Sequence, residues 1–376
     1  MTAPESAGAA QRVDVLVIGA GQAGLSAAYH LRRRGFVPAG PAGGSAPDAP
    51  PEFVVLDAEQ APGGAWQHRW ATLQMGTVNG IYELPGEPVP TADPEASSRE
   101  VLPAYFAGYE QRFGLNVHRP VTVSAVRRGD DDLHSPLIVE STGGIWAASY
   151  VINATGTWTH PYWPYYPGRD QFAGRQLHVH DYVSADEFAG QRVVIVGAGV
   201  SALQLLDEIS AVTDTFWVTR REPVWEDAPS SRHLADAVVG VAQRTEQGLP
   251  GTSVTRATGM FRSPWVLRAQ ARGALVRHPM FTRIERDGVR MPDGSLEPAD
   301  VILWATGFHP AVSHLAPLRL RTRQGGIRVR DGRALDEPRL FLIGYGPSQS
   351  TVGANRAGRD AAVAIVAERR APGRRR

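Results

Sequence analysis

VLVIGAGQAGLSAA, residues Val15 to Ala28, is the stretch whose reading decides the fold. Val15 to Ile18 are four apolar residues in a row, which predicts a strand buried on both faces. Gly19, Gly21 and Gly24 follow in G-x-G-x-x-G spacing, and Leu25 to Arg34 predicts a helix. Each glycine then has a mechanical task. One makes the tight turn, one lets a pyrophosphate approach, and one lets helix and strand pack. The pyrophosphate rests on the helix N-terminus, where unpaired N–H groups and the dipole favour an anion. A glycine-rich loop with no ligand is the bland alternative. Strand, turn and helix together favour a dinucleotide site in an α/β fold.

The pattern occurs twice. Val193 to Val196 predicts another buried strand, and Gly197, Gly199 and Ala202 give G-x-G-x-x-A. A helix from Ser201 to Ile209 and a strand from Phe216 to Thr219 follow. At that strand's tip, 21 residues past Gly199, stand Arg220 and Arg221. A carboxylate there would accept the 2′-hydroxyl of NADH, whereas a cation suits the 2′-phosphate of NADPH. A solvated basic turn is the alternative. In the first motif the corresponding acid is Asp57, at the end of a strand from Phe53 to Leu56. It lies 36 residues past Gly21, and ordinary spacing returns once the Pro/Gly/Ala-rich loop Pro38 to Pro51 is removed. Asp57 is therefore assigned the ribose of the first nucleotide.

Outward from these motifs the chain reads as supporting structure. Gly63-Gly64-Ala65-Trp66 either brings backbone close to a cofactor or forms a turn. Val101 to Phe113 predicts a helix whose stripe Tyr105, Phe106, Tyr109 and Phe113 serves core packing. Val121 to Val126, Leu137 to Glu140 and Ile145 to Val151 alternate like a small antiparallel meander crossing the first nucleotide domain. Asn153-Ala154-Thr155-Gly156 closes that run, and the aromatic, proline-rich Trp158 to Pro167 reads as a linker. Glu226 to Arg277 suggests helices with a turn near Pro250-Gly251. A strand Val301 to Leu303 leads into Ala305-Thr306-Gly307-Phe308, a second Ala-Thr-Gly. Leu340 to Ile343 predicts a last strand, and Ala354 to Ala367 a closing helix. The first residues and the basic end from Ala371 read as loose tails.

Bulk numbers exclude several classes. The 376 residues suffice for two domains, and 43% apolar content supports a proper core. A net charge of +1 gives no reason to expect nucleic acid or membrane binding. No apolar run spans a bilayer and no secretory signal opens the chain, so a cytoplasmic protein is expected. The count of cysteines is zero, which removes dithiols, disulfides and thiolate metal sites; no metal site is expected. All 39 basic residues are arginine, so Schiff bases and the lysine-dependent phosphate loop are excluded too.

Two Rossmann motifs 178 residues apart suggest two cofactors face to face, an FAD and a nicotinamide nucleotide. Without thiols, electrons must leave to oxygen or a diffusible acceptor. Between the motifs stands FAGRQLHVHDY, which fills F-x-G-x-x-x-H-x-x-x-[F/Y] with Phe172, Gly174, His178 and Tyr182. With both glycine motifs, Gly63 to Trp66 and the late Ala-Thr-Gly-Phe, in that order, the chain resembles the flavin-containing monooxygenases. These are class B flavoprotein monooxygenases that hold FAD and NADPH on one polypeptide, and the short bacterial members are most similar. The resemblance implies a discontinuous FAD-binding domain, 1–168 and 302–376, with an NADPH-binding domain, 169–301, inserted. It implies that Gly19, Gly21, Gly24 and Asp57 bind the FAD adenosine and pyrophosphate, and that Gly64 and Trp66 line the flavin. Gly197, Gly199, Ser201 and Arg220 or Arg221 would hold NADPH, with Gly307 in the late motif. His178 would stand at the domain hinge near the nicotinamide, or be satisfied by backbone with no chemistry. Asn79 is the candidate for the family's active-site asparagine.

The resemblance also implies the reaction. Hydride passes from NADPH to FAD, and oxygen adds to give a C4a-(hydro)peroxyflavin. Its distal oxygen goes to a soft nucleophile, an amine nitrogen or sulfide sulfur. Baeyer–Villiger relatives usually end the fingerprint with Trp, so Tyr182 tilts against cyclic ketones. Two further readings stay open: an NADPH oxidase or reductase serving oxygen, a quinone or another acceptor, and a non-catalytic flavoprotein. Partners are a small-molecule substrate and dioxygen. Oligomeric state is unreadable, a homodimer being one option.

Overall fold

The computed structural model describes residues 10–40, 49–130, 132, 135–226, 231–251 and 260–370. Both tails, the centre of the 38–51 loop and parts of the 225–275 stretch lie outside the described residues.

The first strand, Gln11–Ile18, begins four residues before its fully buried segment. It forms the middle of a sheet of ten strands among the described residues. Glu52–Leu56 pairs with it in parallel on one side and Gly144–Asn153 on the other, and Leu340–Leu342 lies beyond, also parallel. Helix α1 runs Gln22–Arg32 rather than from Leu25 to Arg34, since Gly35 at φ +90° turns the chain away. Helix α2, Ser98–Phe113, carries the expected aromatic stripe into the core beneath this sheet, with Tyr105, Phe106 and Tyr109 buried. Their polar tips also work. Tyr105 accepts from the Leu84 amide and donates to the Glu87 carbonyl, and Tyr109 donates to Pro85, so α2 pins the irregular 82–90 stretch.

The meander Val123–Arg128, Leu137–Ser141 and Gly144–Asn153 is antiparallel as expected. It is not a separate crossing, however. Its third strand is ten residues long and is itself the parallel neighbour of the first strand.

A second sheet has the order Arg277–Pro279, Thr215–Thr219, Val193–Val196, Val301–Trp304, Arg175–His178, all parallel. The expected domain boundary between 301 and 302 therefore cuts a strand. Val301–Trp304 is fully buried between its two neighbours. Helix α3, Val200–Ile209, follows the second glycine motif. Further on come α4, Ser231–Glu246, and α5, Pro264–Ala271. The turn expected at Pro250-Gly251 falls earlier, at Gly248 with φ +69°. A three-stranded antiparallel sheet, Arg283–Glu285, Gly288–Arg290 and Leu296–Pro298, has no counterpart in the sequence reading.

The last helix, α6, runs Thr351–Arg370 and returns to α1. Gly358 permits the close crossing: a Cβ there would meet the Ala27 nitrogen and Ser26 Oγ at 2.7 Å. The two chain crossings between the sheets lie side by side. Tyr162 donates its amide to Gly307, His309 to His160, and Ala311 to Gly156. Among the described residues, no helix is long and apolar enough to cross a membrane.

Candidate dinucleotide sites and central cavity

The two glycine motifs are physical twins. Gly19 has φ +97°, and a Cβ there would stand 2.7 Å from the Ala154 carbonyl oxygen. Gly197 has φ +143°, and its Cβ would collide with the Ala305 carbonyl oxygen. Ala154 donates its amide to Ile18 and Ala305 to Val196, both at 2.8 Å. Each glycine loop thus packs on an Ala-Thr-Gly that ends a neighbouring strand, which is why that tripeptide recurs. The second glycine of each motif, Gly21 and Gly199, has no atom within 4 Å of a would-be Cβ, so both loops present bare backbone to open space. At the third position Gly24 presses on the Gly19 carbonyl, and Ala202 is fully buried.

Both loops open onto one cavity of about 1670 Å³. A single small-molecule pocket is ordinarily roughly 300–1,000 Å³, so this space suits more than one ligand. It is lined by Gly19, Gly21, Asp57, Gly64, Trp66 and Asn79 of the first body, and by Gly197, Gly199, Ser201, Arg220, Arg221 and Gly307 of the second. Gly64, at φ +51°, lies with its would-be Cβ 3.0 Å from Gly21 Cα, so the Gly-Gly turn closes over the first loop. Ser201 sits in the first turn of α3. Gly307 takes φ +85° where the chain leaves its strand. Arg220 and Arg221 are exposed, and Arg220's charge opposes the upward push that burial gives the Tyr166 phenol.

His178 stands behind the cavity wall. Its ring is fully buried and does not line the cavity. Nδ1 accepts the His180 amide at 3.1 Å, while Nε2 is buried beside the Gly307 backbone outside hydrogen-bond geometry. Trp163 and Phe308 pack on the ring at 5.8 and 5.0 Å. Burial holds its pKa down at about 4, so the ring is neutral near pH 7. The rest of the fingerprint is a seam as well. Gly174 gives passage to the Asp300 carbonyl. Tyr182 donates to Glu208 Oε2 at 2.9 Å.

Several contacts around the cavity escaped the sequence reading. Arg119 holds Asp57 Oδ2 through Nε at 2.8 Å and grips Glu110 with its other two nitrogens at 2.6 and 2.7 Å. It fixes the Asp57 carboxylate from 62 residues away, and no local pattern marks it. Glu208 accepts from Trp70 Nε1 at 2.8 Å, Thr72 at 2.6 Å and Tyr182, clamping the 70–73 loop to α3. Trp158 and Phe308 stack at 5.0 Å on the cavity wall. Both follow an Ala-Thr-Gly, a signal the repeat could have supplied.

Comparison with known proteins agrees with this geometry. The family model described as pyridine nucleotide-disulphide oxidoreductase matches residues 68–344. A flavin-containing monooxygenase from Stenotrophomonas maltophilia is 38% identical with a TM-score of 0.78, covering 95% of this chain and 99% of that one. A Baeyer–Villiger monooxygenase of Streptomyces coelicolor is 29% identical over 274 residues, 72% of this chain and 48% of that protein. An indole-3-pyruvate monooxygenase of Oryza sativa subsp. japonica is 26% identical over 344 residues, 79% of this chain and 77% of that protein. The chain thus spans about half the length of the first of these curated relatives.

Proposed function

The chain belongs to the pyridine nucleotide-disulphide oxidoreductase family and, within it, to the flavin-containing monooxygenases, and from that premise we propose that it oxygenates a small soft nucleophile, an amine nitrogen or a sulfide sulfur. Flavin monooxygenases of this family use FAD with NADPH. The residues fit both groups: two bare-backbone cradles, each at a helix N-terminus, face one cavity. That pairing is the observation that carries the reading. Disulfide chemistry is outside the chain's means, since it has no cysteine.

Gly19, Gly21 and Gly24 would receive the FAD pyrophosphate and Asp57 its ribose, with Gly64 and Trp66 beside it. Gly197, Gly199 and Ser201 would receive the NADPH pyrophosphate, and Arg220 and Arg221 its 2′-phosphate. When bound, FAD takes a hydride from NADPH and delivers two electrons to dioxygen. The balance is substrate, O₂, NADPH and a proton giving oxygenated substrate, water and NADP⁺. The side chains supply placement and dryness. Trp66, Trp158 and Phe308 line the cavity, and their apolar surface would help to exclude water from the reacting centre. Asn79 lines the same space. His178 positions the hinge and moves no proton, its ring being sealed away. No general base is needed by a nucleophile with a free lone pair.

A panel of amines, sulfides and ketones, scored for oxygenated product against peroxide released per NADPH consumed, tests the proposal. Product from a sulfide or amine matching most of the NADPH is expected. Stoichiometric peroxide with every compound would make the chain an oxidase and end the reading.

A further inference from the structure

Arg69 follows the Gly-Gly-x-Trp turn, and its guanidinium lies between two indoles. The guanidinium carbon is 5.5 Å from the Trp66 ring centre and 4.7 Å from that of Trp158. Such stacking fixes the plane of the fork and leaves its N–H groups to donate along the edge. The side chain lines the central cavity, and its Nε is buried with no hydrogen-bond partner among the described residues.

Two other enclosed arginines are neutralised. Arg119 lies between Asp57 and Glu110, and Arg339 on Glu337. Among the described residues Arg69 takes part in no ion pair. The acids nearest in sequence are engaged elsewhere, Glu59 by His68 at 2.8 Å and Asp57 by Arg119 at 2.8 Å. Burial draws the Arg69 pKa down to about 10, and no neighbouring charge contributes. A buried cation without a counter-charge is costly, and a cavity wall is where a ligand can supply that charge.

We propose that Arg69 is the cavity's receiver for an oxyanion, and that the oxygenated substrate carries one, a carboxylate, beside its soft nucleophilic atom. The identity of the occupant rests on the monooxygenase reading; the anion site itself does not. The dinucleotide phosphates already have receivers in the two glycine loops and in Arg220 and Arg221, which favours the substrate as the source.

Equilibrium titration of the oxidised, FAD-loaded protein tests this without turnover, so a failure to oxygenate anything leaves the result readable. Phenylacetate and its neutral isostere 2-phenylethanol are followed by flavin absorbance and tryptophan fluorescence, and NADP⁺ is titrated alongside. Phenylacetate is expected to bind wild type at least about tenfold more tightly than the alcohol. Arg69→Gln should weaken phenylacetate about ten- to hundredfold and leave the alcohol within about twofold. Arg69→Lys, which keeps the charge but loses the fork, should recover part of the difference. Loss of NADP⁺ affinity instead, with phenylacetate unchanged, keeps the anion site and makes a cofactor phosphate its occupant. Equal affinity of wild type for acid and alcohol, or no response to phenylacetate at millimolar concentration, overturns the proposal. So does an Arg69→Gln protein that binds both phenylacetate and NADP⁺ as wild type does.

Discussion

Gly21 and Gly24 lie three residues apart and do opposite things. A methyl on Gly24 would drive into the Gly19 carbonyl, whereas one on Gly21 would meet nothing within 4 Å. Gly24→Ala should therefore destabilise the fold by about 1–3 kcal/mol, seen as a lower urea midpoint. Gly21→Ala should leave that midpoint nearly unchanged and instead lower flavin retention through gel filtration, because its methyl occupies the pyrophosphate's approach. Wild-type flavin content in Gly21→Ala would remove the first cradle from the argument. The arginines make a second residue-scale contrast. A hydrogen bond to a charged group is worth about 1.5–3 kcal/mol, so Arg220→Ala or Arg221→Ala should weaken NADPH about ten- to hundredfold and leave NADH nearly unchanged. If both variants keep full NADPH preference by steady-state KM, the 2′-phosphate assignment fails.

At the scale of elements, helix α3 clamps the irregular 70–77 stretch to the second sheet. Its Glu208 holds Trp70, Thr72 and Tyr182, and Gln204 donates to the Thr77 carbonyl at 2.8 Å. Asp207 on the same helix is bound by Arg268 and Arg272 of and just beyond α5. The fingerprint residue Tyr182 is thus one arm of a three-way joint. Its buried phenol sits beside Glu208, and burial first and that carboxylate second push its pKa upward. Tyr182→Phe removes one donor and should cost about 1 kcal/mol. Glu208→Ala strands three donors, two of them on the buried side chains of Trp70 and Tyr182, and should cost about 2–4 kcal/mol. Calorimetry that ranks the two variants in the reverse order would show that α3 does not clamp the loop.

Across the whole molecule, burial has placed three imidazoles where protonation is disfavoured. His30, His178 and His314 are all held at about 4, by desolvation first, with neighbouring arginines adding to the effect at His30. In the unfolded chain each titrates near 6.5. The unfolded state therefore binds more protons between those values. Stability should be level above about pH 7 and should fall as pH drops from about 6.5 toward 4. His314 accounts for part of this. It is buried against Asn153 Oδ1 at 2.6 Å, and its share is of the order of 3 kcal/mol. His314→Gln should flatten part of the acid limb of a Tm-versus-pH curve. An unchanged limb would place the acid sensitivity elsewhere.

Much of the fold was written in local sequence. Strand, glycine turn and helix form one covalent run, so their spacing alone set both nucleotide motifs, the positions of Asp57 and of Arg220 and Arg221, and the parallel sheets. Even the second Ala-Thr-Gly was visible, because each glycine loop needs the same close-packed neighbour. What the sequence left open were partnerships across long separations. Arg119 reaches Asp57, Glu208 gathers Trp70 and Tyr182, Val301–Trp304 joins the second sheet, and His178 is sealed under Phe308. Spacing along a chain fixes backbone conformation. Whether a charge finds a partner or a ring finds water depends on which distant surfaces are pressed together, and only the folded chain decides that. Arg69 shows the difference most plainly: in sequence it is one arginine among many, and in the fold it is a half-buried cation on the cavity wall.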